Sequence, residues 1–231
     1  MTENRLTPKK RLLLWDIDGT LVRTSRPSSL NPHVSALMKL GYSVSSDPIE
    51  LFGSTDYEVI IELLKKNKIL LKGNQLREIF IEIDKEAQQL DLISEFNLYP
   101  GVCSILDELS ALGWTHGILT GNTYNRMISK LIFSNIIKYF LNELMFSCNF
   151  GDSRKDICKN AVITINKELY QKIYIIGDTP KDISAARSIG FPVISVASGN
   201  YSLSELSNFD PDLLIRNLEL DSKLLIDYLS K

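Results

Sequence analysis

The sequence is poor in the residues that usually build disulfide frameworks and soft metal centres. Among 231 residues it has three cysteines, Cys103, Cys148 and Cys158, and two histidines, His33 and His116. An odd number of cysteines at unrelated spacings supports neither a disulfide framework nor a zinc pattern, and a reducing cytoplasm is the expected location. Each histidine lies in an apolar periodic segment with no second His or Cys at ligand spacing, so both are expected to be structural. An excess of one charge is also missing: 26 basic and 28 acidic residues leave a formal net charge of -2. Such a chain has no strong field to draw nucleic acid or an acidic membrane, and neither is expected as a partner. No apolar run is long enough to span a bilayer. The basic residues 1–10 run straight into Leu12-Leu13-Leu14-Trp15 with no signal-peptide pattern.

What is present is the composition of a packed globular chain, 44% hydrophobic and 23% charged. Apolar runs of strand length alternate with helical patterns, the form taken by βα units that feed a parallel sheet. Strands are predicted at residues 11–15, 114–119, 144–147, 172–176 and 192–196. A helix is predicted over 101–112, with Val102, Ile105, Leu106, Leu109 and Leu112 on one face, and another after Asn122, carrying Met127, Ile128, Leu131 and Ile132. The first strand breaks this rhythm, because the next core unit restarts only at Tyr99-Pro100-Gly101. The interval reads as a mostly helical insertion with no convincing strand. It has stripes at 57–64 and 76–90, where Leu76, Ile79, Phe80, Ile83, Ala87 and Leu90 recur at three- and four-residue steps. The expected organisation is an α/β core made of residues 1–22 and 99–231, with a helical second domain over 23–98.

Four short segments follow predicted strands, where ligands of parallel α/β sheets gather. The first is Asp16-Ile17-Asp18-Gly19-Thr20-Leu21. A carboxylate such as Asp16 can attack phosphorus and form an aspartyl-phosphate, splitting one hard hydrolysis into two easier steps. A second carboxylate two residues on, Asp18, can protonate the leaving oxygen and then deprotonate the attacking water. Taken alone, Asp18-Gly19 is also an ordinary turn. The second segment is Thr120-Gly121-Asn122, whose hydroxyl and turn N–H groups can donate to phosphoryl oxygens, though the same tripeptide is a common strand-to-helix loop. The third holds an adjacent pair, Arg154 and Lys155. One fixed cation there would neutralise the nucleophile and the transferring group, whereas a solvated pair is the commoner fate of neighbouring basic residues. The fourth is Gly177-Asp178-Thr179-Pro180-Lys181-Asp182. Magnesium takes hard oxygen ligands and keeps several waters, so Asp16 and Asp178 plus a substrate phosphate make a suitable site. Asp182 has two compatible roles, as a further carboxylate at that site and as the acidic residue in the first turn of a helix that Thr179 caps.

Together these residues resemble the haloacid dehalogenase superfamily of phosphohydrolases, and its phosphoglycolate-phosphatase-like branch in particular, over nearly the whole chain. The first and fourth segments carry the resemblance; Thr120 and the basic residue near Arg154 supply its second and third motifs. It implies a Rossmann-like parallel sheet in which the strand bearing Asp16 lies between those ending at Thr120 and Asp178. It also implies that the insertion is a mobile helical cap, and that Mg²⁺ is the cofactor with Asp16, Asp18, Asp178 and Asp182 around it. Spacing to Ile157, Cys158 and Ala161 is similar to the family form in which Arg154 is the key cation, with Lys155 as the alternative. Thr20, Gly121 and Asn122 are the expected substrate contacts in the core. In the insertion, Gly53-Ser54-Thr55-Asp56 is similar to a family turn that often has a basic residue where Ser54 stands; Thr55 and Asp56 are substrate contacts or caps of the next helix.

The expected function is therefore magnesium-dependent hydrolysis of a small phosphorylated metabolite through an aspartyl-phosphate. A phosphomutase would show the same motifs, and a noncatalytic phosphate-binding or interaction module would most simply have lost Asp16, Asp18 or Asp178. Dehalogenation needs no proton donor at Asp18, and the resemblance implies that dehalogenases lack it. A nucleotide-binding P-loop is excluded, since no Gly-Lys-Ser/Thr follows a glycine-rich turn.

Overall fold

The computed structural model describes residues 10–25, 31–45 and 51–231; most of the basic N-terminal segment lies outside the described residues. Strand β1 (Lys10–Trp15) leads to a short strand β2 (Val22–Ser25), three helices, α1 (Pro32–Lys39), α2 (Asp56–Lys66) and α3 (Gln75–Asp91), and a returning strand β3 (Glu95–Leu98). Helices and strands then alternate through α4 (Val102–Ala111), β4 (Trp114–Leu119), α5 (Tyr124–Phe133), β5 (Phe140–Phe146), α6 (Arg154–Thr164) and β6 (Tyr170–Gly177). The chain closes with α7 (Pro180–Ser188), β7 (Val193–Val196), α8 (Leu203–Ser207), β8 (Leu213–Ile215) and α9 (Ser222–Leu229).

Six strands form one parallel sheet in the order β5-β4-β1-β6-β7-β8. The strand bearing Asp16 is central, between β4 and β6, as the resemblance implied. A strand covered on both faces reads as an unbroken apolar run, and Leu12, Leu13, Leu14 and Trp15 are all fully buried. Alternate residues serve opposite faces. Leu13 and Trp15 pack with Ile105 and Leu109 of α4, Met127 of α5 and Leu225 of α9. Leu12 and Leu14 pack with Ile157 and Ala161 of α6 and Ile183 and Ala186 of α7. Each such side chain contributes about 1.5–3 kcal/mol on burial, so the central strand that carries the site is among the most firmly held parts of the molecule. His116 is structural, as expected: its Nδ1 accepts from Trp15 Nε1 at 3.0 Å, and burial pushes its pKa down to about 4. The three cysteines are free. Among the described residues, no helix is long and apolar enough to cross a membrane.

The insertion has its own apolar cluster, in which Val34 and Leu37 of α1, Ile60 and Leu63 of α2, and Ile79 and Ile83 of α3 meet. Both predicted helical stripes fall on helices, α2 and α3. One expectation about the insertion is corrected: β2 and β3 pair as an antiparallel ribbon, with Arg23 opposite Asn97, where no strand was expected. Each is only four residues long and owes its extended form to a partner some seventy positions away, a long-range pairing that leaves little local periodicity. β8 was likewise not foreseen, and β5 begins four residues earlier than predicted, through the exposed stretch Leu141-Asn142-Glu143.

Candidate active site

The four motif segments meet at the carboxyl edge of the sheet. Asp16 is the first residue after β1; it is buried, and its N–H donates to Ile176 O at 2.8 Å. The chain then turns at Gly19 with φ +89°, where a Cβ would lie 2.1 Å from Asp178 Oδ2. Only glycine supplies both the left-handed conformation and the clearance, so the loop bearing Asp18 closes directly onto the end of β6. Thr20 Oγ1 donates to Asp178 Oδ1 at 3.2 Å, which places Thr20 behind Asp178.

The neighbouring basic residues separate completely. Arg154 begins α6 after its Ser153 cap, on the same face as Ile157, Cys158 and Ala161, and is buried; Lys155, one residue round the helix, is exposed. Arg154 Nη2 donates to Asp16 Oδ1 at 2.7 Å, Nη1 donates to Leu119 O at 2.9 Å and lies 3.1 Å from Asp182 Oδ1, and Nε donates to Gly53 O at 3.3 Å. One guanidinium thus ties β1, β4, α7 and the insertion together.

Asp16, Asp178 and Asp182 are all buried, and each brings a carboxylate oxygen within 4.8 Å of the others. Asp182 caps α7 as expected and also stands in this cluster. Its Oδ2 accepts from the N–H (3.1 Å) and hydroxyl (2.6 Å) of Thr179, closing a capping box on α7, while Oδ1 faces Arg154. One cation does not balance three buried carboxylates. Burial pushes Asp16 up to about 7; Arg154 opposes this, and Asp182 and Asp18 add to it. Burial, with Asp16 and Asp182 beside it, also raises Asp178 well above the usual carboxylate range. A pocket of hard oxygen donors short of positive charge fits a magnesium ion.

Asp18 is turned away from this cluster, and its carboxylate is 44% exposed toward the cavity. Lys130 of α5 holds it with Nζ at 2.7 and 2.5 Å from its two oxygens, and Asn122 Nδ2 donates to it at 2.8 Å. Against the cost of desolvation, Lys130 and Asn122 keep Asp18 below the usual carboxylate range. Asn122 also donates to Thr120 Oγ1 at 2.7 Å and accepts from Lys130 at 2.8 Å. The Thr120-Gly121-Asn122 segment therefore sets the position of Asp18. Sequence reasoning missed Lys130 and Arg126, which read as the polar positions of a helix. Their spacing of four, on the helix that follows Thr120-Gly121-Asn122, is the signal that marks them as a pair on one face.

Thr55 and Asp56 lie at the seam between insertion and core. Thr55 is fully buried; its hydroxyl caps α2 by accepting from Glu58 N–H at 3.1 Å and donates to Asp152 O at 2.5 Å. Asp56 pairs with Arg126, bonds His33 Nε2 at 2.8 Å and accepts from Thr123 N–H at 2.7 Å, while its own N–H donates to Gly121 O at 2.8 Å. Both thus serve the core–insertion junction. Gly121 is needed there, since a Cβ would sit 2.6 Å from Ser54 O. Lys181 reaches across the same seam to Ser54 Oγ at 2.6 Å and Glu58 at 2.9 Å. Between the parts lies a cavity of about 410 Å³, floored by Asp18, Arg154 and Asp178 and walled by Phe52, Arg23 and Tyr99 among others.

Comparison with known proteins agrees with this arrangement. Residues 13–196 match the family model of haloacid dehalogenase-like hydrolases. A phosphoglycolate phosphatase of Agrobacterium fabrum is 30% identical over 226 residues, covering 93% of this chain and 91% of its own length. Among solved structures, CbbY from Rhodobacter sphaeroides, in complex with phosphate, superposes with a TM-score of 0.70 at 17% identity over 92% of this chain and 96% of its own. A hydrolase from Pseudomonas syringae does so with a TM-score of 0.69 at 18% identity over 96% and 98%. Sheet order, motif placement and this full-length relationship together make the chain a member of the haloacid dehalogenase-like hydrolase family, on its phosphoglycolate-phosphatase-like branch.

Proposed function

We propose that the protein hydrolyses a small phosphomonoester with the help of Mg²⁺, through a phosphoryl group carried on Asp16. The observation that supports this most is the buried Asp16–Arg154 pair beside Asp178 and Asp182, with Asp18 two residues on and open to the cavity. Asp16 attacks phosphorus, forming an aspartyl-phosphate as the bond to the ester oxygen breaks, and Asp18 gives that oxygen a proton. Asp18 then takes a proton from water, which attacks phosphorus, releases phosphate and restores Asp16. Lys130 and Asn122 hold Asp18 as a carboxylate in the ligand-free protein; an arriving phosphoryl dianion raises its proton affinity toward the acid form. Arg154 and Thr120 face the transferring oxygens. Magnesium, when bound by Asp16 and Asp178 with Asp182 beside them, supplies charge neutralisation for the phosphoryl group.

Residues 23–98 act as a cap in this reading, shielding the reaction from water and meeting the part of the substrate that the core motifs cannot distinguish. The Agrobacterium fabrum relative makes 2-phosphoglycolate the first substrate to test. Purified protein assayed with Mg²⁺ against a panel of phosphorylated metabolites should release phosphate from one or more of them. Activity that survives in excess chelator, or full activity with Ca²⁺, which favours longer bonds and more ligands, would count against the mechanism.

A further inference from the structure

Helix α5 meets Asp18 through a fully bonded ammonium. Lys130 is buried, and its three N–H donors have three acceptors: Asp18 Oδ1 at 2.7 Å, Asp18 Oδ2 at 2.5 Å and Asn122 Oδ1 at 2.8 Å. Asn122 Nδ2 donates to Asp18 Oδ2 as well, at 2.8 Å. The two oxygens of Asp18 are therefore unlike. Among the described residues, Oδ2 accepts from both Lys130 and Asn122, and Oδ1 from Lys130 alone. The helix does not need this pair to stay in place. From the insertion, Asp56 pairs with Arg126, Asp84 accepts from Thr123 Oγ1 at 2.5 Å and Asn125 Nδ2 at 2.7 Å, and Asp91 accepts from Ser129 Oγ at 2.6 Å. From the core, Met127 and Leu131 join the apolar cluster under the sheet. A buried ion pair is a weak source of stability, so on a helix already fixed along its length Lys130 is placed to orient the group it touches.

We propose that Lys130 is a positioning residue for the proton transfers of Asp18: with Asn122 it anchors the carboxyl through Oδ2, which leaves Oδ1 to exchange a proton with the ester oxygen and then with water. This deepens the phosphatase reading above and rests on it. When Oδ1 carries the proton, Oδ2 keeps both of its donors, so the group holds one orientation through both steps. A proton donor matters most where the departing oxygen is strongly basic, because a weakly basic leaving group departs without one. Loss of orientation at Asp18 is therefore felt by poor leaving groups and hardly by good ones, whereas loss of a merely structural tie slows both alike.

The test compares kcat/KM in Mg²⁺ for phenyl phosphate and 4-nitrophenyl phosphate, esters of similar shape whose leaving groups differ in basicity. This constant covers the steps up to departure of the leaving group. Lys130→Met should lower it for phenyl phosphate by on the order of 10²-fold, within the contribution of a positioned acid, and for 4-nitrophenyl phosphate much less. Lys130→Gln keeps a donor to Asp18 and serves should the Met variant fail to fold; it should show the same imbalance to a smaller degree. An equal loss on both esters, or no loss on either, would overturn the assignment. Wild-type protein that releases phosphate from neither ester nor from 2-phosphoglycolate would instead overturn the phosphatase reading itself, so the two failures are told apart.

Discussion

Asp178 and Asp56 both line the cavity, yet burial leaves them with opposite charge balances. At the seam, Arg126, His33 and the Thr123 N–H answer the cost of burying Asp56 and hold its carboxyl far below the usual range. On the floor, one Arg154 faces three carboxylates, and Asp16 and Asp178 are pushed up instead. The seam is complete without any ligand, whereas the floor is left short of positive charge. Buried acids of the first kind hold parts together; those of the second are left with negative charge that a bound cation would balance.

The sharpest way to break this contrast is to neutralise one acid of each kind. Asp16→Asn should lower kcat by on the order of 10⁵-fold or more, as loss of a nucleophile does, with no loss of thermal stability, because it relieves repulsion among buried carboxylates. Asp56→Asn should do the reverse, leaving Arg126 without its counter-charge and costing roughly 3–5 kcal/mol of stability. Denaturant unfolding and steady-state kinetics on both variants read the two effects; equal stability losses would erase the distinction. Arg154→Ala should lower kcat by on the order of 10²-fold, as removal of one transition-state donor does, while Lys155→Ala, which changes an exposed residue, should change it little. The opposite order would move the role to Lys155.

The contrast also has a pH signature. Asp16 has a raised folded pKa, so without metal the native state binds more protons than the unfolded chain between about 4, the ordinary carboxylate value, and about 7. Its contribution is full below the unfolded value and is lost as pH rises through that window. Asp56, with a depressed pKa, contributes above the unfolded value and loses this as pH falls below about 4. His33 is pushed down by burial and gains stability with rising pH near 6.5, so the Asp16 effect is best read as the difference between wild-type and Asp16→Asn melting curves in chelator. That difference should grow from pH 5 to 7 and shrink on adding Mg²⁺. The smallest effect belongs to Thr55, whose hydroxyl is committed within the protein. Thr55→Ala should cost ~1 kcal/mol and leave the ranking of substrates unaltered; a changed ranking would bring Thr55 into substrate recognition.

Much of the core was legible because its cause is local. Leu12 to Trp15 declare a strand buried on both faces, and Asp16-Ile17-Asp18-Gly19-Thr20-Leu21 follows it without a gap. The choice between Arg154 and Lys155 was open in the sequence, since it depends on which way one helical turn faces. Lys130 and Arg126 were illegible as site residues: a cation on a helix reads as solvated until tertiary packing places a carboxylate against it. The β2–β3 ribbon escaped for a related reason, as its pairing joins segments far apart in the chain.

The central claim is that Asp16 carries the phosphoryl group in transit. Acid-quenching the protein during turnover with Mg²⁺ and substrate, reducing the acyl phosphate with borohydride and mapping the product by mass spectrometry tests it directly. The account predicts a reduced side chain at Asp16, dependent on substrate and Mg²⁺ and absent from the Asp16→Asn variant. Modification at another carboxylate, or near-wild-type turnover by Asp16→Asn, would contradict it.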